Sequence, residues 1–271
     1  MATQSEKGAA FRALHARPGA FIVANAWDAG SARLLADAGF EALATTSAGF
    51  AFSLAKRDNH AGREAVLRNA AEIVAASGLP VTADLENAFG TTPERVAETM
   101  RLAGAAGLVG GSIEDSTRDP NAPLLPLAHA AELVRAAAEA AHALPFPFTL
   151  TARAENFIVG RPDLADVIAR LQAYQAAGAD VLFAPGLARE EDIRALVRSV
   201  DRPVNLIAPS TPYTLAQLAD MGVKRLSLGG ALTRLAYGAM LEAAREMREQ
   251  GAFTWAKKAP PTSRFHSAFD D

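Results

Sequence analysis

Three short stretches bring acids and an arginine to the ends of apolar runs. "VTADLEN" carries Asp84 and Glu86, "SIEDS" carries Glu114 and Asp115, and "LTARAEN" carries Arg153 and Glu155. Carboxylates that converge repel one another, and they stay ionised at neutral pH when a cation sits among them. Hard oxygen donors without His or Cys beside them select Mg²⁺, with Mn²⁺ the alternative. Mg²⁺ keeps several waters and needs only one or two direct carboxylates, so the remaining acids would orient those waters. The guanidinium of Arg153 matches a carboxylate or phosphonate in bidentate fashion. The chemistry implied is metal-assisted handling of a small anionic substrate.

Other polar residues end apolar runs in the same way: Asn25 and Asp28, Thr46 and Ser47 with Gly49 after them, and Asn205. Plainer readings stand beside the functional one. Asp28 serves equally as a helix cap, Glu155 as an ion-pair partner of Arg153, Asp84 with Glu86 as a loop salt-bridge cluster, and Ser47 as a turn residue. His60 reads as a surface loop histidine. "GVKRLSLGGAL" has the form of a phosphate-gripping turn before a helix N-terminus, although glycines there also serve tight turns. The joint placement of acids on two runs and an arginine on the next favours a site.

The elements that must position these residues recur along the chain. Eight short apolar runs occupy residues 20–25, 41–47, 79–84, 107–114, 146–153, 179–185, 202–209 and 223–230. Most are continuously apolar, as in a parallel sheet buried on both faces. Between them lie helical stretches with start and stop signals, such as Asp28 before "AGSARLLADAG" and the Thr-Pro that opens "TTPERVAETMRLAGAAG". Eight strand–helix units predict a (β/α)8 TIM barrel, in which polar strand ends converge on one face. A doubly wound sheet is the rival, but no GxGxxG follows the first run. The expected organisation is one domain, with a barrel over 1–255, a short N-terminal helix near residues 5–15, and an irregular tail over 256–271.

Composition narrows the classes. The 271 residues are 50% hydrophobic and 21% charged, with a net charge of −3 and no cysteine. That balance gives no electrostatic footprint for nucleic acid. Disulfides, thiolate metal sites and cysteine catalysis are excluded. No apolar run approaches the roughly 20 residues of a membrane span, and the first residues lack the apolar core of a signal peptide. A soluble, cytoplasmic protein is the expectation.

With these stretches in view, the sequence resembles the isocitrate lyase / phosphoenolpyruvate mutase superfamily. "PVTADLENAFG", "SIEDS" and "LTARAENFIVGRPDLADVIARLQAYQAAGAD" carry the resemblance, and "NAWDAGSARLLADAGFEALATTSAGFAFSLAKRD" is similar to its first two units. The likeness runs from about residue 20 to 245. It implies an Mg²⁺-dependent barrel acting on small 2-oxo acids or phosphonate analogues through a metal-bound enolate. Carried over by motif, Asp84 would meet the metal directly, and Asp58, Glu86 and Glu114 would hold its waters. Ser47, Ala48 and Gly49 match a turn whose amides and hydroxyl hold the substrate carboxylate or oxo group. Arg153 matches the substrate-gripping arginine, and Asn205 a polar residue of some members. Arg153, Asp58 and Glu114 would act nearest the reacting atoms. Family members often exchange their last helices, so a homo-oligomer, dimer or tetramer, is expected.

The departures narrow the reaction. Lyase members place a Lys-x-Cys-Gly type loop after the fourth strand; here that loop reads "DSTRDPNAPLLP", with neither Lys nor Cys. Of the Lys-Thr-Asn type loop of mutases and hydrolases, only Asn121 has a counterpart. Where several members carry His or Glu at the end of the sixth run, this chain has Pro185. Asp115 has no role by resemblance and would shape the turn. Carbon–carbon cleavage is therefore expected, first as decarboxylation of oxaloacetate, which needs no dedicated lyase acid. The alternatives are P–C chemistry on phosphonopyruvate, or a non-catalytic binder of a 2-oxo acid such as 2-oxoglutarate.

Overall fold

A computed structural model describes residues 2–269. Nine parallel strand segments form one nearly closed barrel: β1 (Phe21–Ile22), β2 (Ala24–Ala26), β3 (Leu43–Thr45), β4 (Val81–Asp84), β5 (Gly110–Glu114), β6 (Thr149–Arg153), β7 (Val181–Phe183), β8 (Val204–Ile207) and β9 (Arg225–Ser227). The expected eight runs become nine segments because the first run serves two neighbours. β1 pairs with β9 and β2 pairs with β3, while the Val23 amide between them donates to the Leu226 carbonyl at 2.8 Å. That switch brings the two edges of the sheet together.

The helices begin where the local signals place them. Asp28 caps α2 (Ala29–Asp37), and its carboxylate accepts from the Ser31 amide at 2.7 Å. Thr92 caps α5 (Pro93–Ala105), whose first residue is proline, and Asp163 caps α7 (Leu164–Ala176). Such caps satisfy amides that lack an intrahelical partner. The second run ends earlier than expected. Thr46 caps a short helix, α3 (Ser47–Ser53), so Ser47, Ala48 and Gly49 form a first helical turn rather than a loop. Glycine is required at position 49, because a Cβ there would collide with Thr46 and with Thr233 of α10 (Ala231–Gln250).

The tail departs from the irregular expectation. Residues 262–269 form a helix, α11 (Thr262–Phe269), held on α2. Arg264 pairs with Asp37 at 2.5 Å, and Arg33 Nε donates to the Ala268 carbonyl at 2.8 Å. Among the described residues no helix is long and apolar enough to cross a membrane.

Apolar packing lies mainly between barrel and helices, with Leu85, Met100, Leu108, Leu150, Leu171 and Tyr174 fully buried. The barrel interior is different. Thr82, Ser112, Thr151, Asn205 and Ser227 are buried on small polar side chains, where many barrels stack bulky Val, Ile and Leu. They leave a cavity of about 70 Å³ that reaches from Asp84 and Arg153 to Arg225. The opposite end is sealed by α1 (Gln4–Ala16), whose Phe11 and His15 rings pack edge-on, at 4.8 Å, with Phe21 against both.

Candidate active site

β4, β5 and β6 lie side by side, and their register sets Asp84 opposite Ser112 and Glu114 opposite Arg153. The C-terminal ends of all three therefore open on the same mouth. Arg153 is the hub. Its Nη1 donates to Asp84 Oδ1 at 2.9 Å, and its Nη2 lies 3.2 Å from Glu114 Oε2 and 2.8 Å from Glu155 Oε1. The Phe183 ring lies 5.1 Å from its guanidinium carbon, a cation–π distance. Burial opposes the charge on Arg153, but Glu155, Glu114 and Asp84 outweigh it and push the guanidinium up. Glu155 thus pairs with Arg153, as its plainer reading held.

A second ion pair sits beside the first. Arg118, from the loop after β5, binds Glu86 Oε2, and reaches Asn87 Oδ1 at 3.2 Å and the Asn59 carbonyl at 3.4 Å. Glu86 is 1% exposed, and its other oxygen, Oε1, has no hydrogen-bond partner. Burial pushes its carboxyl up to about 7; Arg118 pulls it down, while Asp84 and Asp58 push it further up. Burial also lifts Glu114 well above the usual carboxylate range, against the pull of Arg153 and with the push of Glu155 and Asp84. The backbone here is held in unusual conformations. Glu86, Ala88 and Phe89 have φ of 54°, 58° and 56°, and Arg118 has 67°. Left-handed conformations cost non-glycine residues about 1 kcal/mol or more, and they cluster at functional sites.

The structure gathers Asp84, Glu86, Glu114 and Arg153 in one group, with half-buried Asp58 close enough to act on Glu86. The Ser47 amide donates to Asp84 Oδ2 at 3.3 Å, so the start of α3 faces the same carboxylate. The Gly49 amide is already taken by Thr46 Oγ1 at 3.2 Å, because capping claims it. Asn205 lines the cavity, but deeper, with its amide committed to Ser227 and Arg225. The glycine turn after β9 is occupied from within: the Leu228 and Gly229 amides donate to Asn25 Oδ1 at 2.7 and 3.1 Å. His60 is exposed, with its ring Nδ1 against the Asp58 carbonyl at 2.7 Å and no hydrogen bond to the carboxylates of the mouth among the described residues.

Three features went unassigned from the residues alone. Arg118 was legible only as the one basic residue in "STRDPNAP". Thr45 was hidden inside an apolar run, yet its Oγ1 accepts from the Asp84 amide at 3.0 Å. Asp115 does more than shape a turn. Its carboxylate accepts from Tyr174 at 2.6 Å and from Arg170 at 3.0 Å on the helix side of β5, and from the Glu155 amide at 2.9 Å.

Four carboxylates, Asp84, Glu86, Glu114 and Glu155, face only two guanidinia, Arg153 and Arg118. Among the described residues no three acids or imidazoles already form a cage around one point. A hard divalent ion does not need such a cage, since it retains waters and one or two direct carboxylates suffice. The excess negative charge, the all-oxygen donors and the unpartnered buried Glu86 Oε1 fit such an ion.

A family model described as phosphoenolpyruvate phosphomutase matches residues 11–248. A solved structure from Burkholderia cenocepacia J2315, of a protein named by inference as a lyase/mutase, is 56% identical with a TM-score of 0.96, over 99% of this chain and 97% of that one. A solved phosphonopyruvate hydrolase, in complex with oxalate and Mg²⁺, is 26% identical with a TM-score of 0.83, over 97% and 94% of the two chains. Oxaloacetate decarboxylase from Chromohalobacter salexigens is 29% identical over 251 residues, covering 89% of this chain and 85% of that relative.

Proposed function

The chain belongs to the phosphoenolpyruvate phosphomutase family, within a superfamily of lyases and mutases, and from that premise we propose that it is a divalent-cation-dependent enzyme cleaving a carbon–carbon bond of a small 2-oxo acid. Decarboxylation of oxaloacetate is the reaction supported best. The observation that carries this reading is the surplus of buried carboxylate around Arg153, with the unpartnered Glu86 Oε1 within it. A relative that is an oxaloacetate decarboxylase and a structural neighbour that holds Mg²⁺ with oxalate support it further.

In this reading Asp84 would hold Mg²⁺, or Mn²⁺, directly, and Glu86, Glu114 and Asp58 would hold its waters. A bound ion would polarise the 2-oxo group and stabilise negative charge as the bond breaks. Arg153 receives the substrate carboxylate, with the Ser47–Gly49 turn of α3 beside it, and Glu155 and Phe183 hold its guanidinium in place. Loss of CO₂ leaves a carbanion equivalent that water can protonate. That fits a loop after β5 with neither Lys nor Cys. The test is oxaloacetate consumption with Mg²⁺, with EDTA and in Asp84→Ala. Turnover that survives EDTA, or is unchanged in the variant, overturns the proposal.

The exposed Leu235, Met240 and Leu241 of α10 support association through the C-terminal helices. Light scattering at micromolar concentration tests it, and a monomer would count against it.

A further inference from the structure

Arg225 is the counterpart of Arg153 at the other end of the cavity. A line of paired residues runs Glu114, Arg153, Phe183, Asn205, Arg225 across β5 to β9. Barrel strands tilt, so this line descends from the last residue of β5 to the first of β9. Arg225 is thereby placed on the floor, 3% exposed, and it lines the same cavity as Asp84 and Arg153. Its contacts are all neutral. Nε donates to Asn205 Oδ1 at 2.9 Å, Nη2 to Thr151 Oγ1 at 2.9 Å, and Nη1 approaches His15 Nε2 at 3.4 Å. His15 is itself kept uncharged, since burial and then Arg225 push it down to about 3. Among the described residues no carboxylate pairs with Arg225.

A buried guanidinium without a counter-charge is costly. It keeps its proton even so, because burial lowers it only to about 9. Five N–H donors are available on the side chain, and the three neutral contacts leave capacity for one more acceptor. The wall between the two arginines is lined with small polar groups, and Thr151 stands two residues below Arg153 on β6, about 7 Å along the strand. The cavity is thus a short polar well, with an arginine among acids at its mouth and an arginine without an acid at its floor.

We propose that Arg225 is an anion-binding subsite that takes the far carboxylate of a short diacid whose near end lies at Arg153. The subsite makes the site selective for dicarboxylates over monocarboxylates of equal length, and it rests on the reading of the mouth as a 2-oxo acid site. Asn205 and Thr151 are positioning residues, which fix the guanidinium plane.

A matched pair of stable four-carbon acids tests this by calorimetry on the intact, Mg²⁺-loaded protein: malate and 2-hydroxybutyrate, which differ only in the far carboxylate. Wild-type protein is expected to bind malate at least about tenfold more tightly, as a charge-assisted contact requires. Arg225→Met should erase that preference while changing 2-hydroxybutyrate binding by less than about threefold. Should that variant not fold, Asn205→Asp provides the second arm. It supplies Arg225 with an internal carboxylate, so it should raise Tm and abolish the preference for malate. Equal binding of the two acids by wild type, or a preference that survives in the folded variant, overturns the subsite. A malate preference that depends on Arg225, in a protein that turns over no 2-oxo acid, upholds the subsite and overturns only the proposed reaction.

Discussion

Arg153 and Arg170 are both buried guanidinia amid acids, yet their surroundings differ in one respect. Arg170 sits in a closed account between α7 and the end of β5. Its Nη1 donates to Asp115 at 3.0 Å and to the Leu125 carbonyl at 3.0 Å, and its Nε to Asp166 at 2.8 Å, while Tyr174 adds a hydrogen bond to Asp115. Burial keeps the Tyr174 phenol neutral, and Asp115 reinforces this. Both oxygens of Asp115 accept hydrogen bonds there. Both clusters hold two acids for each guanidinium, but around Arg153 burial pushes carboxyls up and one buried carboxylate oxygen has no partner. A buried network whose acids are held by hydrogen bonds ties elements together; one that leaves a carboxylate oxygen unsatisfied beside a cavity is prepared for a ligand.

The contrast can be broken at either end. The largest effect expected is Asp84→Ala, which should lower kcat/KM on the proposed substrate by about 10³-fold with little change in Tm, measured by coupled assay and calorimetry. At the other cluster, Asp115→Ala leaves Arg170 and Tyr174 facing an unfilled space. It should cost about 3–5 kcal/mol in denaturant unfolding while leaving kcat of the folded protein within about twofold. If the two variants exchanged these signatures, the assignment of the clusters would be reversed.

A smaller effect separates them by pH. Glu86 has its folded value raised to about 7, above the ordinary 4.5, so the folded state binds more protons between those values. Stability of the metal-free protein should therefore be fullest below about pH 4.5 as regards this group, and should fall as pH rises toward 7, by up to about 1.4 kcal/mol per pH unit. Glu86→Gln should flatten this slope, and saturating Mg²⁺ should also remove it, because the ion stabilises the charged form. A slope that is unchanged by both would count against the buried Glu86 as its origin. The smallest effect is expected at the partly exposed Arg118. Arg118→Gln should shift KM by less than about tenfold, with kcat nearly unchanged, as befits a pair in partial contact with water.

Much of the site could be read before folding. Asp84, Glu86, Glu114 and Arg153 stand at the ends of apolar runs, and a parallel barrel must bring such ends to one face. Caps such as Asp28 and Thr92 are local events between residues three apart, so they too were readable. The start of α3 was not, because Thr46 reads equally as the end of a strand. Neither was the helix of the tail, whose anchors on α2 lie more than 200 residues away in sequence.

Glu114 and Asp115 show where the division falls. Adjacent residues of a strand point to opposite faces, so the sequence by itself determined that one acid would face the barrel and the other the helices. Which one faced inward depended on the register with β4 and β6, a matter of tertiary pairing. The same holds for the arginines. The sequence determined that Arg153 ends a run. Only the tilt of the closed barrel and the seal made by α1 decided that Arg225, at the start of its strand, would be buried on the cavity floor without an acid. Local chemistry sets caps, periods and charges, whereas burial and the pairing of distant charges are properties of the closed barrel.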